Sequence, residues 1–251
     1  MQEQDVIVDL EIEPRRVPTM HGWQWIVQAF ALFRLNPLIW LGLTALFIVI
    51  MLGISLLPLI GGFASTLLGP VLLGGLMIAA HNGAHGIAPQ INDLFAGFKF
   101  RSFELVKVGA YYMLGTVLLL FVFSGLLGLL QWMGLIDVLP DTLESLEQIE
   151  HLWPLGLLML ACFALVYSTY FFAPALVVLN EMNAADAMKM SFLAFWRNWS
   201  PILLMSLLGS LLLIVLMLPA FLGLLVGLPV VLITSYVCYA DIFADGQGEL
   251  S

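Results

Sequence analysis

Between residues 38 and 239 the chain holds six apolar runs, none containing a charged residue. They lie at about 38–57, 63–80, 108–130, 152–178, 202–218 and 221–239. A helix needs roughly 20 apolar residues to cross a hydrocarbon core. Strands of a membrane barrel alternate apolar and polar residues over about ten positions, and these runs are longer and do not alternate. A helix satisfies every backbone N–H and C=O within its own segment, as lipid requires. Six transmembrane helices are therefore expected in an all-α integral membrane protein. Composition agrees: 62% of residues are hydrophobic and only 10% charged, against about 25% charged in soluble domains.

The eight basic residues are Arg15, Arg16, Arg34, Lys99, Arg101, Lys107, Lys189 and Arg197. All fall before span one, between spans two and three (or in the first turn of three), or between spans four and five. With an even number of spans, these segments share one side. Basic residues near span ends are retained in the cytoplasm, so both termini are expected there. The opposite side carries the acidic segment "QWMGLIDVLPDTLESLEQIEHLW". The expected layout is an acidic, disordered cytoplasmic tail over 1–19, one membrane domain over 20–245 and a short cytoplasmic tail over 246–251. An extracytoplasmic amphipathic insertion is expected at about 131–151. No signal-peptide pattern opens the chain. A net charge of −9 gives no basic patch for nucleic acid. Cys162 and Cys238 sit inside apolar runs and read as small buried residues.

A phrase occurs twice: "FALFRLNPLIW" at 30–40 and "FLAFWRNWSPIL" at 192–203. Proline suits the first turn of a helix, where its missing N–H has no partner, and it pushes the preceding residue out of the helical region. Arg34, Asn36 and Pro37, and Arg197, Ser200 and Pro201, therefore read as corners where chain on the membrane surface turns to cross. Asn36 and Ser200 are the expected caps. Proline spacing also relates the first hairpin (Pro37, Pro58, Pro70) to the last (Pro201, Pro219, Pro229), with Pro174 in the middle one. Three repeats of an interfacial helix plus a helical hairpin are expected. Pro70, Pro174 and Pro229 would kink the returning helices. "HGWQWIVQAFALFR" and "AADAMKMSFLAFWR" are the expected interfacial helices.

Chemistry-bearing residues are few. His81 and His85, four apart, are weak metal candidates, with Asp93 as a third ligand. Gly83 and Gly86 argue for a helix end there, which would break their shared face. Glu104 and Lys107 are spaced for a helix ion pair. The mid-bilayer polar groups are hydroxyls such as Thr116, Ser168 and Thr234. No ionisable acid, base or histidine accompanies them, which argues against ion coupling and intramembrane hydrolysis.

The phrases "GWQWIVQAFALFRLNPLIW", "LLGPVLLGGLMIA", "DLFAGFK", "FFAPALVV", "AMKMSFLAFWRNWSPIL" and "GLLVGLPVVLITSYVCYADIF", in this order, resemble an uncharacterised family of proteobacterial six-helix inner-membrane proteins. The layout is more loosely similar to the membrane domain of glycerophosphodiester phosphodiesterases, whose soluble catalytic domain has no counterpart here. The resemblance implies fold and location, and no reaction. The expected function is that of a non-catalytic protein organising lipids or other membrane proteins. The alternative is a transporter or channel for lipid-like or small apolar molecules, which repeats and kinks favour. No cofactor is expected. Membrane lipids are the expected partners, with a membrane-protein partner or homo-oligomer left open.

Overall fold

The structure, a computed structural model, describes residues 13–134, 153–218 and 222–243. The expected tails (apart from residues 13–19), the turn at Pro219 and residues 135–151 of the acidic insertion lie outside the described residues. The described elements are all helical. In order they are α1 (His21–Leu35), α2 (Pro37–Ser55), α3 (Gly61–Ala84), a 3₁₀ helix (Ile91–Phe95), α4 (Ala96–Lys99) and α5 (Ser102–Trp132). Then come α6 (Trp153–Tyr170), α7 (Ala173–Leu179), α8 (Ala184–Arg197), α9 (Trp199–Met217) and α10 (Leu224–Phe243). Six spans are long and apolar enough to cross a membrane: α2, α3, α5, α6 with α7, α9 and α10.

The core is concentrated at one end of these spans, the end that carries the basic residues. In α2 only Trp40, Leu43 and Thr44 are buried, all in its first two turns. In α5 only Leu105, Val108 and Gly109 are buried, and in α9 only Pro201 and Ile202. In α6 only Ser168, near its end, is buried. The far halves of these four spans expose side chains such as Val49, Phe121, Leu160 and Ile214. Helices α3 and α10 form the centre, each with more than half of its span window buried. In lipid, exposed apolar side chains carry no hydrophobic penalty, so packing is needed only where backbones must be held together.

Glycine sets the closest approaches. A Cβ on Gly75 would stand 2.1 Å from the Leu94 carbonyl oxygen, and one on Gly97 would stand 2.0 Å from that of Val71. The 3₁₀ helix and α4 therefore press backbone-on-backbone against α3. The connection between spans two and three is thus fastened to the bundle.

Two short helices cross the span ends. Helix α1 has three faces. Gly22, Trp25, Ile26, Ala29 and Phe33 are buried. Trp23, Val27, Phe30 and Arg34, spaced four, three and four apart, make one exposed stripe, and Gln24, Gln28 and Leu35 another. At 3.6 residues per turn this is a helix with separate sides for core, lipid and water, as an interfacial helix needs. In α8, Ala184, Ala187, Ser191 and Ala194 face the core while Asp186, Lys189 and Arg197 are exposed.

Candidate functional site

Asp241, in the last turn of α10, gathers three donors from the start of the chain. His21 Nδ1 stands 2.7 Å from Asp241 Oδ2, and Trp25 Nε1 donates to the same oxygen at 2.7 Å. The Arg15 guanidinium pairs with Oδ1. The Arg15 backbone N–H donates to the Ile242 carbonyl at 2.9 Å. A carboxylate at the end of an apolar helix is costly unless charge and hydrogen bonds meet it, and here all of them come from residues 15–25. Asn198 completes the attachment. Its Oδ1 accepts from Val17 N–H at 2.9 Å, and its Nδ2 donates to Arg15 O at 3.0 Å and to Ala194 O at 3.1 Å. Residues 15–17, expected to belong to a free tail, are instead tied across α9 and α10, with Val17 buried. Composition alone pointed to no role for Asp241.

Pro37 opens α2, and Asn36 is non-helical at φ −141°, but its side chain makes no cap hydrogen bond. At the second corner the turn residue is Asn198, not Ser200. Helix α9 already begins at Trp199, so Ser200 and Pro201 lie inside its first turn. The Ser200 hydroxyl meets Thr19 Oγ1 at 3.0 Å instead of capping. At this corner the Asn198 amide binds two backbone groups of the preceding segment at once, Val17 N–H and Arg15 O. Arg34 and Arg197 are both exposed.

The three prolines are not equivalent. Pro70 and Pro229 lie inside unbroken helices, α3 and α10. Pro174 stands in the first turn of α7, after a break at Phe171 and Phe172. The Ser191 hydroxyl enters that break. It accepts from Phe172 N–H at 2.9 Å and donates to Ser168 O at 2.8 Å, spanning an i, i−4 pair that a continuous helix would close directly. Ser168 donates its own Oγ–H to Leu165 O at 2.7 Å and accepts from Trp196 Nε1 at 3.1 Å.

His81 and His85 do share a face, because α3 continues through Gly83 to Ala84. Their ring centroids are 4.2 Å apart. The helix ends at Ala84, just past Gly83, and Gly86 follows in the left-handed conformation at φ 76°; a Cβ on Gly83 would meet Leu32 and Pro89 only at ordinary contact distance, 3.8–3.9 Å. His81 Nδ1 meets the Tyr236 hydroxyl at 3.2 Å, and His85 Nδ1 donates to the His81 carbonyl at 2.8 Å. Asp93 is occupied elsewhere, accepting from Gln90 N–H at 2.8 Å. Among the described residues no three His, Cys, Asp or Glu side chains gather as a metal site.

Glu104 links two elements. Its Oε1 accepts from Lys107 Nζ at 2.7 Å, and its Oε2 accepts from Ala184 N–H at 2.8 Å, at the start of α8. A carboxylate there also complements the positive end of the helix. Asp186, hydrogen-bonded by Asn183 and by Lys189 Nζ at 3.2 Å, is held below the ordinary carboxylate range.

A groove of about 500 Å³ opens between α1, α9 and α10. Its walls include Trp23 and Phe30 from α1, Leu208 and Leu212 from α9, and Val226 and Val230 from α10. Among the described residues no charged, hydroxyl or amide side chain lines it, and neither do Pro70, Pro174 or Pro229.

No family model matches the chain, and no solved structure matches it. A Burkholderia thailandensis protein named a probable inner membrane protein is similar to it: 29% identical over 189 residues, which are 70% of this chain and 67% of that protein. Six membrane-length helices stand beside that likeness. The chain is a multi-pass membrane protein.

Proposed function

We propose that the chain is a non-catalytic inner-membrane protein that organises lipids or other membrane proteins, with both termini in the cytoplasm. The observation that carries this is the uneven bundle. Its packed core, the two crossing helices α1 and α8 and all the described basic residues lie at one end, and the far halves of four spans are left to lipid. Confinement of basic residues to one side supports the orientation, and the relative's name supports the membrane. The order of short helix, span, span, seen at α1–α3 and α8–α10, supports a repeated unit. Some hydroxyls in the spans are taken up by carbonyls of their own helices, Ser206 by Ile202 O at 2.8 Å and Thr234 by Val230 O at 2.7 Å, while the buried hydroxyls of Thr44 and Thr116 have no partner among the described residues. Hydroxyls held in this way are poorly placed as nucleophiles.

The test is extraction of the full chain in native membrane discs, followed by mass measurement of what stays bound. A lipid or partner retained at a fixed ratio is expected; recovery as a bare monomer indifferent to lipid refutes the proposal. Orientation is tested with an impermeant thiol reagent on intact cells. Glu144→Cys should react and Gly248→Cys should not. A second reading, transport of lipid-like molecules, is favoured by the groove under α1. It requires passage across the bilayer, which flux of a labelled lipid between leaflets of proteoliposomes would measure.

A further inference from the structure

We infer that the groove between α1, α9 and α10 holds one acyl chain of a phospholipid whose phosphate sits at Arg34. The inference rests on the lipid-organising function proposed above and names the ligand and its site. Two observations carry it. The first is the groove itself: its volume of about 500 Å³ is within the range of small-molecule sites, roughly 300–1,000 Å³. Its walls are apolar throughout, so it suits hydrocarbon and offers nothing to a polar ligand. The second is charge. Trp23, Val27 and Phe30, which line the groove, continue along the same exposed stripe of α1 to Arg34, one turn beyond Phe30.

Among the described residues no carboxylate or hydrogen-bond acceptor is recorded for Arg34, whereas Arg15 and Arg101 both have partners. An unpaired guanidinium one helical turn beyond the end of an apolar slot matches a molecule with an anion at one end and an alkyl chain at the other. Arginine recognises phosphate with a planar fork of donors. Arg34 also lies in the last turn of α1, so its charge is favoured there by the helix dipole. A free phosphate would use the arginine and leave the slot unused. A neutral diacylglycerol would use the slot and leave the arginine unused. A phospholipid uses both.

The experiment uses the full-length protein in maltoside micelles, which contain no phosphate. The probe is phosphatidylglycerol with a diazirine on one acyl chain. After irradiation, adducts are mapped by mass spectrometry, and competition is measured with unlabelled phosphatidylglycerol, with diacylglycerol of the same chains and with inorganic phosphate. Adducts are expected on the peptides holding Trp23–Phe30 and Leu208–Leu216, well above those on the equally exposed outer half of α5. Phosphatidylglycerol should compete about tenfold better than diacylglycerol, the size of one charge-assisted hydrogen bond, and phosphate should not compete.

Arg34→Gln should erase that tenfold difference. Leu212→Trp should fill the groove and remove its adducts while those on α5 persist. Both positions are exposed, so neither variant disturbs the core. Adducts spread evenly over groove and α5, or unchanged by Leu212→Trp, overturn the inference, as does diacylglycerol competing equally with the unaltered protein. If native discs retain lipid at a fixed ratio but the groove is unlabelled, this site is lost and the wider function stands. If the groove is labelled but native discs retain nothing, the wider function is lost and the site stands.

Discussion

Replacing Asp241 by alanine should release the start of the chain without unfolding the bundle. The substitution removes the acceptor for Arg15, His21 and Trp25. Arg15 and His21 have side chains 51% and 28% exposed, so water replaces much of what they lose, and exposed pairs contribute at most about 1 kcal/mol. Trp25 is 1% exposed. Its Nε1–H is left without a partner and without water, which costs about 1–3 kcal/mol. Together these losses come to about 3 kcal/mol. At 1.4 kcal/mol per tenfold, local opening of residues 15–25 should rise by roughly a hundredfold.

Val17 is 6% exposed in the closed state, so the alkylation rate of a Val17→Cys variant reads that opening directly. Cys162→Ala supplies the background, and Cys238, 0% exposed, stays silent. Arg15→Gln is the control and should raise the rate by no more than about fivefold. Equal rates in Asp241→Ala and Arg15→Gln would refute the claim that the buried indole bond, and not the exposed ion pair, holds the segment down.

Ser191→Ala removes the hydroxyl between Phe172 N–H and Ser168 O and should lower stability by about 2 kcal/mol, read as a drop in melting temperature in detergent; an unchanged midpoint would mean that the break closes on itself. Gly97→Ala places a methyl against the Val71 carbonyl and should abolish the folded product. Gly209→Ala, with nothing within 4 Å of the new methyl, should be silent in the same gel-filtration assay. Asp186 has a depressed pKa, so its stabilisation of the start of α8 is complete above the ordinary carboxylate value and disappears as pH falls through the depressed one. Hydrogen exchange of the first α8 amides, corrected for intrinsic rates, should therefore accelerate at low pH, and Asp186→Asn should remove that dependence.

The spans were legible because lipid imposes a run length that needs no knowledge of neighbours: α2 begins one residue before its apolar run, whereas α5 begins at Ser102, ahead of its run, because the polar first turns continue the helix. Attachments between distant residues were not legible. Asp241 lies in "YADIF", where no nearby residue hints at partners 216–226 positions away. The usable signal was physical: a carboxylate at the end of an apolar helix has to be met by something. Local cap and proline preferences point to Ser200, yet the residue before α9 is Asn198, bound to Arg15 and Val17 from far along the chain. Proline marked Pro174 as special without distinguishing a break from a bend. What distinguishes them is the Ser191 hydroxyl from another helix. The glycines did place the end of α3, which stops at Ala84 before a left-handed Gly86, but the two histidine rings still meet because His85 caps the last turn.

The one-ended core makes the two leaflets unequal neighbours. At the basic end the spans are buried against α1, α8 and one another, apart from the groove beneath α1; at the other end the side chains of four spans are exposed. Changes in bilayer thickness or lateral pressure should therefore act on this molecule mainly at that far end, where four of the six spans bury little of their surface.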